Sequence, residues 1–158
     1  MDDERRHFIE DFGAFFEELG GGRMVGRVLG LLMVADPPEQ SAEEIATALH
    51  ASRGSVSQAT RVLVQLGMVR RFNRPGARRD YFQLRPDAFT EATRRRGQEI
   101  DRLAAMFARA QDLTRDRRAH LDETVVFLRF WRQRFDQMFH DWEAERERLL
   151  DEQRNPHP

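Results

Sequence analysis

The sequence predicts a mainly α-helical protein with one small β-hairpin, and three observations carry that prediction. Apolar residues recur at three- and four-residue spacing through most of the chain. Two short serine-capped helices follow one another across a tight turn between Ser41 and Leu66. An arginine-rich loop centred on Pro75-Gly76 separates two short β-prone runs. Capped helix, turn, polar-faced helix and basic hairpin, in that order, outline a winged helix-turn-helix, here flanked by long dimerisation helices. The 158 residues read as a single domain, 1–158, with the winged helix-turn-helix over about 24–86 and a helical dimerisation region over 3–19 and 87–152.

Each element has a local cause. From Asp3 to Leu19, residues Phe8, Phe12, Phe15, Phe16 and Leu19 make one apolar helical face, and Gly20-Gly21-Gly22 ends it. Met24 to Ala35 is a mostly apolar second helix, stopped by Asp36-Pro37-Pro38 because proline supplies no backbone N–H and disfavours a helical predecessor. Ser41 and Glu44 form a capping box for a helix whose inward residues are Ile45, Ala46 and Leu49. Ser52 caps the next, which buries Val56, Ala59, Leu63 and Leu66 and ends at Gly67 in a left-handed conformation.

Met68 to Phe72 and Tyr81 to Leu84 read as strands around the loop 73–80. Asp87 to Leu113 resumes the helical pattern with Ala88, Ala92, Ile100, Leu103, Phe107 and Ala110 inward. A last helix from about Arg117 to Glu152 carries the stripe Leu121, Val125, Leu128, Trp131, Phe135, Met138, Trp142 and Leu149. At about 1.5 Å per residue it is roughly 50 Å long, more than a small winged helix can cover. Its apolar side therefore needs a partner, for which a second copy of the chain is the simplest candidate.

Charge is segregated behind a net value of -1. Residues 1–49 carry 4 Arg against 11 acidic residues, 50–97 carry 11 against 3, and 98–158 carry 11 against 13. All 26 basic residues are arginine. A basic centre between acidic flanks is the distribution expected of a module that faces phosphate. With no cysteine, disulfides, thiolate metal sites and a cysteine nucleophile are excluded. The acidic start Met1-Asp2-Asp3-Glu4 and the short, interrupted apolar run Val25 to Ala35 lead to the expectation of a soluble, cytoplasmic protein without a membrane partner.

The candidate DNA-contacting residues follow from the outline. On the second capped helix, Arg53, Ser55, Ser57, Gln58 and Arg61 are hydrogen-bonding side chains of suitable reach: arginine pairs with guanine, glutamine with adenine, and serine with base edges or phosphate. On the hairpin, Arg74, Arg78 and Arg79 are placed to enter a minor groove or straddle phosphates, with Asp80 available to orient one of them. The competing accounts are a solvated helix face and a charged hairpin that protects a sheet edge. Arg94, Arg95 and Arg96 read as a solvated helix face before they read as phosphate contacts.

Ser52-Arg53-Gly54-Ser55-Val56-Ser57, Leu66-Gly67-Met68-Val69-Arg70-Arg71 and Gly76-Ala77-Arg78-Arg79-Asp80-Tyr81-Phe82 resemble the MarR family of bacterial transcriptional regulators, and more closely its GbsR-like branch. The likeness extends more loosely over about residues 8–150. It implies a dimer formed by the first helix and the last two, a pseudo-palindromic operator in double-stranded DNA, repression, and DNA contacts at the eight residues just named. It also implies a small-molecule effector between the dimer helices and the winged module. For some GbsR-like proteins that effector is choline or betaine, and Phe12, Phe16, Trp131, Phe135 and Trp142 are the aromatics available for a quaternary-ammonium cage. An aromatic stripe at helical spacing is more often a core or dimer seam than a cage, and the single tyrosine, Tyr81, lies in the wing.

Two other function classes are compatible with a small helical protein, and the residues favour neither. Catalysis finds no support: the five histidines show no metal-binding spacing, Gly20-Gly21-Gly22 lacks the Lys and Ser/Thr of a phosphate loop, and His140 beside Asp136, Asp141 and Glu143 reads as ordinary surface pairing. The expectation is a non-enzyme with no cofactor and no metal. A protein-interaction scaffold or architectural protein built on a winged helix predicts exposed apolar residues on the second capped helix, where this sequence has polar ones.

Overall fold

Helix α1 (Asp3–Glu18) starts at Asp2, whose carboxylate accepts the Arg5 N–H at 2.8 Å, and ends where Gly20 takes a φ of 79°. In the computed structural model, which describes residues 2–76, 79–114 and 119–155, it packs along α2 (Arg23–Val34). The contact is made by small residues. A Cβ on Gly26 would stand 2.7 Å from the Phe12 carbonyl oxygen and 2.9 Å from Gly13 Cα; one turn on, a Cβ on Gly30 would meet Ile9 Cα at 3.4 Å. Gly26 and Gly30, four apart, thus form the groove into which α1 lies. The other sides of α2 are apolar too: Val28, Leu29, Leu31 and Leu32 are all buried.

A two-residue strand β1 (Gln40–Ser41), which the sequence reading passes over, leads into α3 (Ala42–Ala48). The expected capping box forms: the Ser41 N–H and hydroxyl both donate to Glu44 Oε2 at 2.7 Å, and the Glu44 N–H donates back to Ser41 Oγ at 3.3 Å. The turn that follows places His50 in the left-handed region at φ 48°, with the Ala51 N–H bonded to the Ala46 carbonyl at 2.9 Å. Helix α4 (Arg53–Gln65) is capped by Ser52 and seated by Val56, Ala59, Thr60 and Leu63. It ends in a Schellman turn: Gly67 at φ 75°, its N–H to the Val64 carbonyl and the Met68 N–H to the Leu63 carbonyl, each at 3.0 Å. Leu66, expected inward, is exposed because it is the capping residue, where the chain leaves the helix before a further turn covers it.

Strands β2 (Val69–Asn73) and β3 (Asp80–Leu84) form the hairpin, with β1 on the far edge, so that the antiparallel order is β1-β3-β2. The register pairs Arg71 with Phe82 and Gln40 with Phe82 on either side of β3. Residues of α1, α2, α3, α4, β2, β3 and the start of α5 share one core, from Ile9 and Leu29 through Ile45 and Leu63 to Phe82 and Ala88. This compact unit reaches Thr93.

From Arg94 a second unit contains the rest of α5 (Ala88–Thr114) and α6 (Ala119–Arg154). Its two helices run antiparallel, joined by Gln111 to Asp122 at 2.7 Å, Arg132 to Asp101, and Arg94 to Glu143 at 2.8 Å, with the Phe135 ring against Gly97. The buried stripe on α6 is Val125, Leu128 and Phe139, with Trp131, Phe135 and Trp142 half-buried. Met138 and Leu149, expected in that stripe, are exposed, as is Leu103 on α5. The apolar surface of these helices is wider than one stripe: Phe139 takes the inner position one turn after Phe135, and Val126, Phe127, Phe130, Met106 and Leu113 remain exposed. No helix among the described residues is long and apolar enough to cross a membrane.

Two outcomes test these accounts. Gly26→Ala should cost about 2 kcal/mol of stability by overpacking the α1–α2 groove, whereas Gly54→Ala, where only Ser52 Oγ lies within 4 Å, should be neutral or gain up to about 1 kcal/mol from helix propensity. Chemical denaturation of both reads the contrast, and equal midpoints would remove the close approach as a constraint. The hydrogen bond from the Ser41 side chain, then that from its backbone, holds the Glu44 carboxyl below the ordinary glutamate value of 4.5, helped by Arg79 and Arg74. A depressed pKa stabilises the fold above the unfolded-state value, and that contribution is lost as pH falls below it toward the folded value. The stability advantage of wild type over Glu44→Gln should therefore shrink as melting is measured from pH 6 down through the acid range; a constant difference would remove the linkage.

Candidate nucleic-acid interface

Helix α4 divides cleanly by side. Val56, Ala59, Thr60 and Leu63 seat it, and the Thr60 hydroxyl spends its proton on the Val56 carbonyl at 2.9 Å, so its inner polar group is satisfied within the helix. Arg53, Ser57, Gln58 and Arg61 stand on the exposed side. Ser55 does not join them. It is half-buried, its N–H bonded to Ser52 Oγ at 3.1 Å and its hydroxyl turned back to the Ser52 carbonyl at 2.9 Å, so its hydrogen-bonding groups close the helix cap instead of facing outward.

The turn ahead of α4 is held from beneath. Arg27 on α2, with only 19% of its side chain exposed, donates through Nε to Glu10 of α1 at 2.8 Å and through Nη2 to the Leu49 carbonyl at 2.9 Å. One guanidinium therefore ties α1, α2 and the α3–α4 turn together.

Across from α4 stands the hairpin. A groove of about 500 Å³ opens between the start of α3, the outer side of α4 and the hairpin strands, and Arg53, Ser57, Arg61, Arg71 and Arg79 all line it. Arg71 is a groove residue that the sequence pattern does not mark. It lies in a strand whose alternation is broken, since both Arg70 and Arg71 are exposed, and only the hairpin's placement beside α4 turns it into the groove. The signal available beforehand was its position three residues before Arg74 in a segment already dense in arginine.

The wing arginines are braced by Tyr81, whose ring is buried. The Arg74 guanidinium lies 4.2 Å over that ring and pairs with Glu39, and Arg79 Nε donates to the Tyr81 hydroxyl at 3.0 Å. The Glu39 bond raises the pKa of Arg74 and the Tyr81 bond that of Arg79. Asp80, expected to orient one of Arg74, Arg78 and Arg79, pairs with Arg71 at 2.6 Å, because the antiparallel register sets it opposite Asn73 and diagonally across from Arg71. Arg78 lies outside the described residues.

Carboxylates interleave with these arginines in a way that residue counts conceal. Glu43 meets Arg53 at 3.1 Å, and Arg79 lies 4.0 Å from both Glu43 and Glu44. Arg61 makes no ion pair among the described residues. The groove therefore keeps a positive excess, with Arg53, Arg61, Arg71 and Arg79 facing Glu43 and Asp80.

The remaining aromatics lie elsewhere. Phe12 and Phe16, 5.6 Å apart between ring centroids, pack on the core beside Gly26 and Gly30. In the second unit Trp131 stacks on Phe135 at 4.5 Å, and Phe135 meets Phe139 at 4.8 Å. None of these, nor Trp142, lines the groove. Arg94 and Arg96 pair with Glu143 at 2.8 Å and Glu99 at 2.9 Å. The acids around His140 are partnered likewise, Asp136 by Arg132 at 2.7 Å and Asp141 by Gln137 at 2.8 Å.

Comparison with known proteins agrees with this geometry. A model of the MarR family matches residues 22–80, the span from the start of α2 into β3. The HTH-type transcriptional regulator MmpR5 of Mycobacterium tuberculosis is 46% identical over 106 residues, which are 67% of this chain and 60% of that protein, so the match spans less than two thirds of the relative's length. The crystal structure of a transcriptional regulator superposes with a TM-score of 0.81 at 34% identity, covering 89% of this chain and 99% of the other. With its capped helix pair, three-stranded wing and a solved regulator matched over nearly its whole length, this chain belongs to the MarR family of transcriptional regulators.

Proposed function

We propose that the protein binds duplex DNA sequence-specifically as a homodimer and represses transcription, with release by a small-molecule effector. The observation that carries DNA binding is the convergence of Arg53, Arg61, Arg71 and Arg79 on one groove beside the exposed side of a capped helix. Guanidinium groups supply the sequence-independent attraction to phosphate, and Arg53, Ser57, Gln58 and Arg61 supply the chemistry for base edges. Repression and effector release rest on the family resemblance, as does the placement in the GbsR-like branch with its quaternary-ammonium effectors.

Dimerisation is supported by the apolar surface of the second unit. Val126, Phe127 and Phe130 on α6 and Met106 and Leu113 on α5 are exposed in the single chain, and Phe8, Phe15 and Leu19 are exposed on α1. Large apolar residues in such numbers mark an association surface. On this reading residues 3–19 and 87–152 form the dimerisation region of one domain, and two recognition helices about 34 Å apart read two half-sites. An effector that binds preferentially to another spacing then releases DNA by shifting the population.

Fluorescence anisotropy with duplexes tiled across the gene's own upstream region, under excess random competitor and a salt titration, tests the reading: one duplex should resist competition. Loss of all binding at low salt would overturn it. Arg79→Ala should weaken cognate and random duplexes alike and flatten the salt slope by about one, whereas Gln58→Ala should cost about 1–3 kcal/mol only at one base position; equal losses on every sequence for both would contradict the division of roles. Phe130→Glu should convert a dimer to a monomer in sedimentation and weaken operator binding, and an unchanged dimer would move the interface elsewhere.

A further inference from the structure

The outer surface of α3 carries a carboxylate that the DNA-binding reading leaves unused. Glu43 stands in the first turn of α3 and spreads its two oxygens between two elements: Oε1 lies 3.1 Å from Arg53 Nη2 of α4, and Oε2 lies 4.0 Å from Arg79 Nη1 of the wing. All three side chains are well exposed, Arg53 at 83%, Glu43 at 62% and Arg79 at 52%. Exposed ion pairs contribute little to folding, because water screens them and ordering long side chains costs entropy. What the arrangement does instead is electrostatic and positional. A phosphodiester also offers two anionic oxygens to guanidinium groups, and here a carboxylate offers its two to an arginine of the recognition helix and an arginine of the wing.

We propose that Glu43 is an internal counter-anion of the nucleic-acid surface, occupying in the free protein the place between Arg53 and Arg79 that a DNA phosphate takes in the complex. This rests on the DNA-binding reading above. Glu43 pre-orders the two arginines across the groove, and a phosphate must displace it. Binding therefore exchanges one anion for another at this point, and the carboxylate, once displaced, stays close to the DNA as a repelling charge. Glu43 is thus a positioning residue that lowers the sequence-independent part of the affinity. Glu39 pairs with Arg74 beyond the groove, but Glu43 is the acid that spans recognition helix and wing.

The test compares wild type with Glu43→Gln, which keeps shape and removes charge, on a random-sequence duplex over a salt titration. Because Gln leaves the Ser41–Glu44 capping box intact, thermal melting should be nearly unchanged. Random-duplex affinity should rise about three- to ten-fold and the salt slope steepen by about one. In an Arg53→Gln background the gain should shrink, since one of the two arginines Glu43 neutralises is gone. A second readout needs no DNA: modification of Arg53 and Arg79 by phenylglyoxal, mapped by mass spectrometry, should quicken in Glu43→Gln relative to Arg96. Unchanged affinity, slope and modification rate, with wild type binding normally, would overturn the counter-anion role and leave DNA binding standing. Weaker binding by the variant would overturn it in favour of a favourable contact from Glu43. Faster arginine modification with no duplex bound by either protein would instead overturn the DNA-binding reading, and the phosphate-site role with it.

Discussion

The burial of α2 is the constraint on which the first unit depends. Its glycine side lets α1 approach to backbone contact, while Val28, Leu29, Leu31 and Leu32 supply the core against which α4 and β3 pack. The small residues fix the rotation of this largely buried helix: only one rotation brings Gly26 and Gly30 under Phe12 and Ile9. Once α2 is set, the rear of α4 has a fixed seat, and its polar side is directed outward as a consequence.

The same helix also reaches the surface chemistry. Arg27 leaves the core side of α2 to bind Glu10 on α1 and the Leu49 carbonyl at the α3–α4 turn, where His50 adopts a left-handed conformation. A part-buried guanidinium bonded on two sides is screened less by water than a fully exposed pair, so losing either partner costs more there. The turn that aims the recognition helix is therefore tied to the helix that resemblance assigns to the dimer, which gives a physical route by which a change at one end of the unit is felt at the other.

The basic surface is less basic than its arginine count. Arg53, Arg71, Arg74 and Arg79 each sit beside a carboxylate, from Glu43, Asp80 and Glu39, which the chain supplies from α3, β3 and the segment before β1. Such pairing orders long side chains, and on the proposed reading it makes the affinity for phosphate a difference between two anions rather than an absolute attraction. Tyr81 adds rigidity from the other side, as a buried ring under Arg74 and a hydroxyl against Arg79.

Local chemistry alone determined the helix ends, the hairpin and their order. The Ser41–Glu44 box, the Ser52 cap, the Gly67 terminus and the Pro75-Gly76 turn each act within a few residues, so the chain states them directly, and with them the winged helix-turn-helix and the polar side of α4. Tertiary structure decided what depends on distant segments meeting. Strand β1 exists because two residues at 40 and 41 find an open edge of β3. Arg71 entered the groove because folding set the hairpin beside α4, and Asp80 met Arg71 through a strand register that periodicity does not encode. Phe139 lies inside and Met138 outside because a wide apolar helix face is apportioned by what packs on it, and acids far apart in the chain came to neutralise arginines because folding put α3, α4 and the wing around one groove.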